Sequence, residues 1–155
     1  MHRAYRFAIG YFALFGLLLL LSGGWLFAAK IGWTPGAVSL YYLGSETVTG
    51  KSAYGLLESA VPHLGAMGLF IMVAAHFVLF APPKAKRRAV KIVAALFTAA
   101  ATDIAAGTVV ASGCGVCAWL KLFAFGSLML LATSLLLVIL YYAFWHNWSP
   151  RRHPR

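Results

Sequence analysis

Four long apolar segments limit what this chain can fold into more than any other feature of its sequence. They cover residues 7–29, 55–80, 92–112 and 118–144. Each has at least the roughly 20 residues that an α-helix needs to cross the hydrocarbon core of a bilayer. Because lipid offers no hydrogen bonds to backbone groups, such segments cross a bilayer as helices. We therefore predict an all-α integral membrane protein with four transmembrane helices.

The composition excludes the main alternatives to this fold. Of the 155 residues, 62% are hydrophobic and 10% are charged, whereas an ordinary soluble domain has roughly 25% charged residues. A soluble globular enzyme needs more polar surface, and a disordered chain has fewer apolar residues. The length suits a single domain over residues 1–155. Apart from residues 30–54 the connections are short, so we expect an antiparallel up-down bundle.

The positive charges predict the orientation of the bundle. The chain has 13 Lys and Arg residues against 3 acidic ones. Ten of these cations lie before the first segment, between the second and third, or after the fourth, and Lys30, Lys51 and Lys121 lie on the other side. We therefore expect both termini in the cytoplasm of a bacterial-type inner (plasma) membrane. The charge then reflects contact with the lipid bilayer, and we expect no nucleic-acid partner.

The connection at residues 30–54 is long and rich in aromatic side chains, including Trp33, Tyr41 and Tyr42. A short helix lying in the interface would place such rings at the level of the lipid headgroups. Two roles are open for this outward interfacial loop. It is either a connector that follows the membrane surface, or a lid or docking surface over an outward-facing site.

Ionisable side chains within membrane spans are costly, so each of them is a candidate for function. The second segment contains Glu58, His63 and His76, and the third contains Asp103. With a rise of 1.5 Å per residue, His63 and Asp103 lie at comparable depths on adjacent helices. Asp103 is therefore a candidate partner for His63, and Glu58 lies near the outer surface. Such a pair serves either to lock two helices together or to handle protons at a quinone site.

The histidines also suggest haem, because neutral imidazole is a common axial ligand of haem iron. His76 and His146 lie at similar depths near the predicted cytoplasmic face, so they are the candidate iron ligands of a haem b. His63 is a further cofactor-binding candidate. The 13 residues between His63 and His76 place the two rings on roughly opposite faces of an ideal helix. We therefore do not expect two haems along one face of the second helix.

Cys114 and Cys117 form a CxxC motif at the turn before the fourth segment. This spacing favours a redox-active dithiol, and a static disulfide that tightens the turn is an equal alternative. No histidine follows Cys117, so this is not a motif for covalent haem attachment. A four-helix membrane protein with an outward CxxC resembles the disulfide-generating quinone reductases and the vitamin K epoxide reductase type. That resemblance implies outward thiol–disulfide exchange, although the second cysteine pair of those families is missing here.

Several short motifs resemble those of small uncharacterised bacterial four-helix membrane proteins. In chain order they are Tyr41-Tyr42-Leu43-Gly44-Ser45-Glu46, Lys51-Ser52, Leu56-Leu57-Glu58, Pro62-His63-Leu64 and Ala75-His76-Phe77. In its four-helix layout and its two histidines on one helix, the chain also resembles membrane b-type cytochrome subunits. This second resemblance implies a helical bundle with imidazole-ligated haem.

These observations favour a b-type haem or quinone-linked electron-transfer subunit that acts with a redox partner or within a larger membrane complex. Thiol–disulfide exchange through Cys114 and Cys117 is the enzymatic alternative. A non-catalytic accessory or assembly subunit is the third hypothesis, because the chain is small and has no soluble domain. A purely structural role for the histidines, or a metal or transport site, also remains open.

Overall fold

The structure, a computed structural model, describes residues 3–79 and 81–145 and is all-helical apart from connections and one isolated bridge in this part of the chain. Four long helices within it have the length and composition to cross a membrane, which confirms the predicted four-helix transmembrane bundle. A fifth, shorter helix lies in the connection at residues 30–54. The helices are α1 (Arg3–Lys30), α2 (Pro35–Leu43), α3 (Ala53–Val78), α4 (Pro83–Ala111) and α5 (Cys117–Phe144).

Local sequence signals explain where several helices begin. Thr34 accepts a hydrogen bond from the backbone N–H of Ala37, and Ser52 accepts one from Gly55, so both act as N-caps. Pro35 occupies the first turn of α2, where a missing N–H costs nothing. Pro62 lies inside α3, and the helix continues through it to Val78. Pro62 therefore does not break this helix.

The long helices pack in an order that places α5 between α1 and α4. The most extensive contact joins α4 and α5, α3 packs on the α4 side, and α1 packs on α5. Small residues on α4 allow this close approach: Ala99, Ala100, Ala106 and Gly107 are all buried. The alanine-rich third segment therefore serves helix packing.

Large side chains fill the half of the bundle that lies away from α2. Ile71, Leu135 and Leu136 are fully buried there. Between α1 and α3, the ring of Phe12 stacks on Phe70 with centroids 5.4 Å apart, and further ring contacts continue this packing. Because hydrocarbon tails are as apolar as these side chains, dispersion in close packing holds the helices together here.

Helix α2 packs down on the bundle and does not simply follow the membrane surface. Val38 is fully buried and Tyr42 is 8% exposed, in a cluster with Val110 of α4 and Ala118 of α5. After α2 the chain turns at Gly44, whose φ of 80° is in the left-handed region that favours glycine. The chain then returns towards α3, and the backbone N–H of Lys51 donates a hydrogen bond to the backbone oxygen of Tyr42 at the end of α2.

Candidate functional site

A cavity of about 300 Å³ lies beneath α2 and is lined by residues from all five helices. Its volume is at the lower end of the roughly 300–1,000 Å³ that is typical of small-molecule sites. Polar and ionisable side chains contribute a large part of the wall. These are Lys30, Tyr41, Tyr42, Ser59, His63, Asp103, Thr108 and Lys121.

A buried ion pair forms part of this wall. The Nζ atom of Lys121 lies 2.7 Å from the Oδ1 atom of Asp103. Nζ also donates a hydrogen bond of 3.0 Å to the backbone oxygen of Asp103. Both residues are buried, with exposed fractions of 4% for Asp103 and 6% for Lys121. The approach of Nζ to Oδ1 lies outside hydrogen-bond geometry, so Oδ1 has no hydrogen-bond partner among the described residues.

This pair corrects two expectations from the sequence. Asp103 was the candidate partner of His63, but it pairs with Lys121, 18 residues further along the chain. We also counted Lys121 with Lys30 and Lys51 as an outer-surface cation, whereas its side chain is buried. A buried pair must offset the desolvation of two charges and is weak as a source of stability. An intramembrane pair of this kind is therefore a candidate functional site.

The sequence candidates on α3 occupy different places. His63 lines the cavity together with Asp103, so their comparable depth does bring them to one site. Glu58 is exposed and does not line the cavity. His76 is exposed near the other end of α3 and lies outside this cavity. His146, its predicted axial partner, lies outside the described residues.

Tyr42 is a site residue that the sequence alone did not single out. Its ring rests on Gly107, where an added Cβ would come within 2.8 Å of the hydroxyl oxygen. Burial raises the pKa of the Tyr42 hydroxyl well above its usual range, and the carboxylate of Asp103 and then Tyr41 add to the effect. The phenol therefore remains protonated and able to donate a hydrogen bond. Gly107, a glycine within the alanine-rich α4, was the sequence feature that could have indicated a close contact at this position.

Stacked aromatic rings form an apolar wall of the cavity. Phe27 of α1 and Phe125 of α5 stack with centroids 3.9 Å apart. The Trp33 ring lies against both of them, at 5.1 Å from Phe27 and 5.8 Å from Phe125. The cavity thus has an aromatic apolar wall and a polar wall with a charged pair.

The cysteines lie close to this site without lining it. Cys114 and Cys117 are joined in a disulfide at the turn between α4 and α5. Cys117 packs against the cluster of Val38, Tyr42, Val110 and Ala118. Since Cys117 and Lys121 are four residues apart on α5, roughly one helical turn separates the disulfide from the buried ion pair.

Comparison with known proteins assigns the chain to a family. Residues 32–151 match the Aq_1264_TM family, which is described as a transmembrane helical domain. The chain belongs to this family. The match to the transmembrane helical domain begins just before α2 and includes α3, α4 and α5, so it covers most of the cavity wall. No curated protein and no solved structure matches the chain.

In this transmembrane helical domain the site combines three chemical capabilities. Lys121 and the Tyr42 phenol are hydrogen-bond donors to an oxygen atom. His63 and the Asp103 carboxylate are groups that accept and release protons. The Phe27 and Phe125 rings suit a planar ligand. No group of three or more His, Cys, Asp or Glu side chains forms a possible metal site among the described residues.

Proposed function

We propose that this multi-pass membrane protein is a quinone-linked electron-transfer subunit, and that the cavity beneath α2 binds the quinone headgroup. The observation that carries the proposal is the buried Asp103–Lys121 pair in a cavity with a stacked aromatic wall. A planar ring with two carbonyl oxygens fits such a site, because it needs hydrogen-bond donors at its edge and apolar surface against its face.

The side chains around the cavity would have three different roles in quinone binding. A quinone, when bound, accepts two electrons and two protons to give a quinol. Lys121 and Tyr42 would orient a carbonyl oxygen by donating hydrogen bonds to it. His63 and Asp103 would hold and transfer protons near the same cavity. The side chains of Phe27 and Phe125 would exclude water from the ring face.

The cavity favours quinone over haem for this site. Among the described residues that line it, His63 is the one histidine, and there is no methionine to serve as a second axial ligand. A haem b held by His76 and His146 is a separate proposal for the other end of the bundle. An absorption spectrum of the purified protein before and after dithionite tests it. Sharpened α and β bands would support haem, and a featureless spectrum after expression with ample haem would reject it.

The quinone proposal is tested by fluorescence quenching in nanodiscs with a ubiquinone that carries a single isoprene unit. Trp33 touches both rings of the aromatic wall, so we expect saturable quenching that is largely lost after Trp33→Phe. Gly23 lines the cavity and has open space where a Cβ would be built, so Gly23→Leu should weaken binding at least tenfold. Ser22→Leu is the matched control, because exposed Ser22 adjoins Gly23 outside the cavity wall. Equal effects of the two leucines, or no saturable quenching, would reject the proposal.

We also propose that α2 faces outward from a bacterial-type inner membrane, with both termini in the cytoplasm. The positive-inside distribution of the cations supports this orientation. Single cysteines introduced at Glu46 and at Lys86, in a Cys114→Ser/Cys117→Ser background, test it in intact cells. A membrane-impermeant maleimide should label the cysteine at position 46 and leave position 86 unlabelled until the cells are lysed. The opposite pattern would reverse the orientation.

A second candidate function is thiol–disulfide exchange, which the disulfide one turn from Lys121 favours. A thiolate of a substrate dithiol would attack the Cys114–Cys117 disulfide to form a mixed disulfide. The second substrate thiolate would then release both cysteines as thiols and leave the substrate oxidised. The disulfide would re-form by passing two electrons and two protons to a quinone.

This second function is tested by trapping. A Cys117→Ala variant keeps Cys114 as a thiol, whose thiolate should attack the disulfide of the oxidised substrate in the reverse reaction. The resulting mixed disulfide should accumulate because Cys117 is absent and cannot resolve it, and a Cys114→Ala/Cys117→Ala variant is the control. A bridge that stays oxidised and unreactive towards small dithiols in the wild-type protein would contradict exchange. If quinone binding also fails, the accessory-subunit hypothesis becomes the leading one.

A further inference from the structure

The first turns of α4 carry a dense set of exposed cations at the opposite end of the bundle from the cavity. Lys84, Lys86, Arg87, Arg88 and Lys91 are all exposed, whereas Ala85 and Ala89 between them are buried. On an ideal helix, four of the cations lie within about 100° of one another. We name these four the α4 basic face: Lys84, Arg87, Arg88 and Lys91.

The chain offers no carboxylate side chain to neutralise this face. Its three acidic residues are Glu46, Glu58 and Asp103. Glu46 follows α2, and Asp103 is 12 residues beyond Lys91 on α4, which corresponds to roughly 18 Å along the axis. That distance exceeds the Debye length of roughly 8–10 Å at ordinary ionic strength. The one ion pair within the described residues is Asp103–Lys121.

The length of α4 places the basic face at the membrane surface. Its 29 residues span roughly 43 Å, whereas the hydrocarbon core is roughly 30 Å thick. The apolar part begins at Ile92, so Pro83–Lys91 extends roughly 13 Å beyond it. Lys91 and Arg88 therefore lie at headgroup level, with the other two cations further out.

We propose that the α4 basic face is a binding surface for anionic phospholipid headgroups. The occupant follows from charge complementarity and from position, because a phosphate-bearing headgroup in the same leaflet is the nearest anion that this face can reach. Arginine binds phosphate through two parallel hydrogen bonds, and lysine binds it as a point charge. Each cation near an anionic surface should strengthen association roughly fivefold.

Electron spin resonance with spin-labelled lipids tests the proposal on the purified full chain in vesicles. We expect spin-labelled phosphatidylglycerol to associate several-fold more strongly than spin-labelled phosphatidylcholine, with a preference that falls as sodium chloride is added. Changing all four residues of the α4 basic face to Gln should reduce the preference to near unity. Circular dichroism checks that the variants retain their helices.

Two single variants sharpen this test and remain informative if the fourfold variant misfolds. Arg87 lies within the α4 basic face, whereas Lys86 lies about 150° from its centre on an ideal helix. Arg87→Gln should therefore reduce the lipid preference more than Lys86→Gln does. Equal effects would mean that net charge alone matters and would overturn the proposal. Loss of the preference on adding inorganic phosphate, but not chloride at the same ionic strength, would indicate a site for free phosphate and would also overturn it.

Discussion

The two ends of the bundle are built from the same four helices and differ in what fills the space between them. Away from α2, the rings of Phe12 and Phe70 stack on each other and the side chains of Leu135 and Leu136 are fully buried. Beneath α2, the space is a cavity with a buried ion pair.

Two glycines on one face of α1 show this contrast directly. A Cβ at Gly16 would lie 3.0 Å from side-chain atoms of both Leu136 and Phe70. A Cβ at Gly23, two turns further along, would meet nothing within 4 Å. At Gly16 the bundle is thus closely packed with apolar side chains, whereas at Gly23, beneath α2, there is open space beside polar groups.

The largest effect is expected when the ion pair at the cavity end is broken. Lys121→Met leaves the Asp103 carboxylate buried without its countercharge, which should lower the free energy of unfolding by about 3–5 kcal/mol. The double variant Asp103→Asn/Lys121→Met removes both charges and should recover much of that loss. Thermal unfolding in detergent, followed by circular dichroism, measures both variants. Equal destabilisation by the single and double variants would contradict a coupled pair.

The next largest effect is expected from substitutions at Gly16 and Gly23. Gly16→Leu forces a large side chain into the packed end and should destabilise the protein by about 3 kcal/mol. Gly23→Leu places the same side chain in the cavity, so the midpoint of thermal unfolding should stay close to that of the wild type or rise. The same melting experiment measures both. If Gly23→Leu were as destabilising as Gly16→Leu, the difference in packing between the two ends would be refuted.

A smaller effect concerns the disulfide above the ion pair. Cys114→Ser/Cys117→Ser opens a loop of very few residues, and by a chain-entropy argument it should cost about 2 kcal/mol or less. The packed end should be unaffected, so hydrogen exchange should accelerate in the first turns of α5 and remain slow around Leu135 and Leu136. Faster exchange throughout α5 would show that the turn supports the whole helix.

The smallest effect tests the phenol of Tyr42. Tyr42→Phe removes one hydrogen-bond donor from the cavity, so the affinity for the proposed quinone should fall by about 0.5–1.5 kcal/mol while stability changes little. Burial raises the pKa of Tyr42, so the protonated form is favoured in the folded state. The hydroxyl of the folded protein is therefore protonated at least up to the usual tyrosine pKa near 10. The ratio of wild-type to Tyr42→Phe affinity should therefore be constant between about pH 6 and pH 9, and a ratio that falls across this range would contradict a protonated donor.

The sequence predicted the four transmembrane helices and allowed for a short helix in the connection. These features depend on the hydropathy and aromatic content of a single segment, and such properties can be read without knowing the neighbouring helices. Depth along a helix is also local, because the rise per residue is fixed. That is why His63 and Asp103 could be expected at one site before the structure was known.

The tertiary structure alone decided which side chains meet. Asp103 lies roughly 12 Å from the end of α4 and Lys121 roughly 6 Å into α5, so their backbones differ in depth. The long lysine side chain spans that difference and reaches the carboxylate. Tyr42 meets Gly107 only because the chain after α2 turns back and holds that helix over the bundle. The rotation of each helix about its axis and the position of α2 depend on packing between segments that are distant in sequence. A pattern read along one segment does not contain that information.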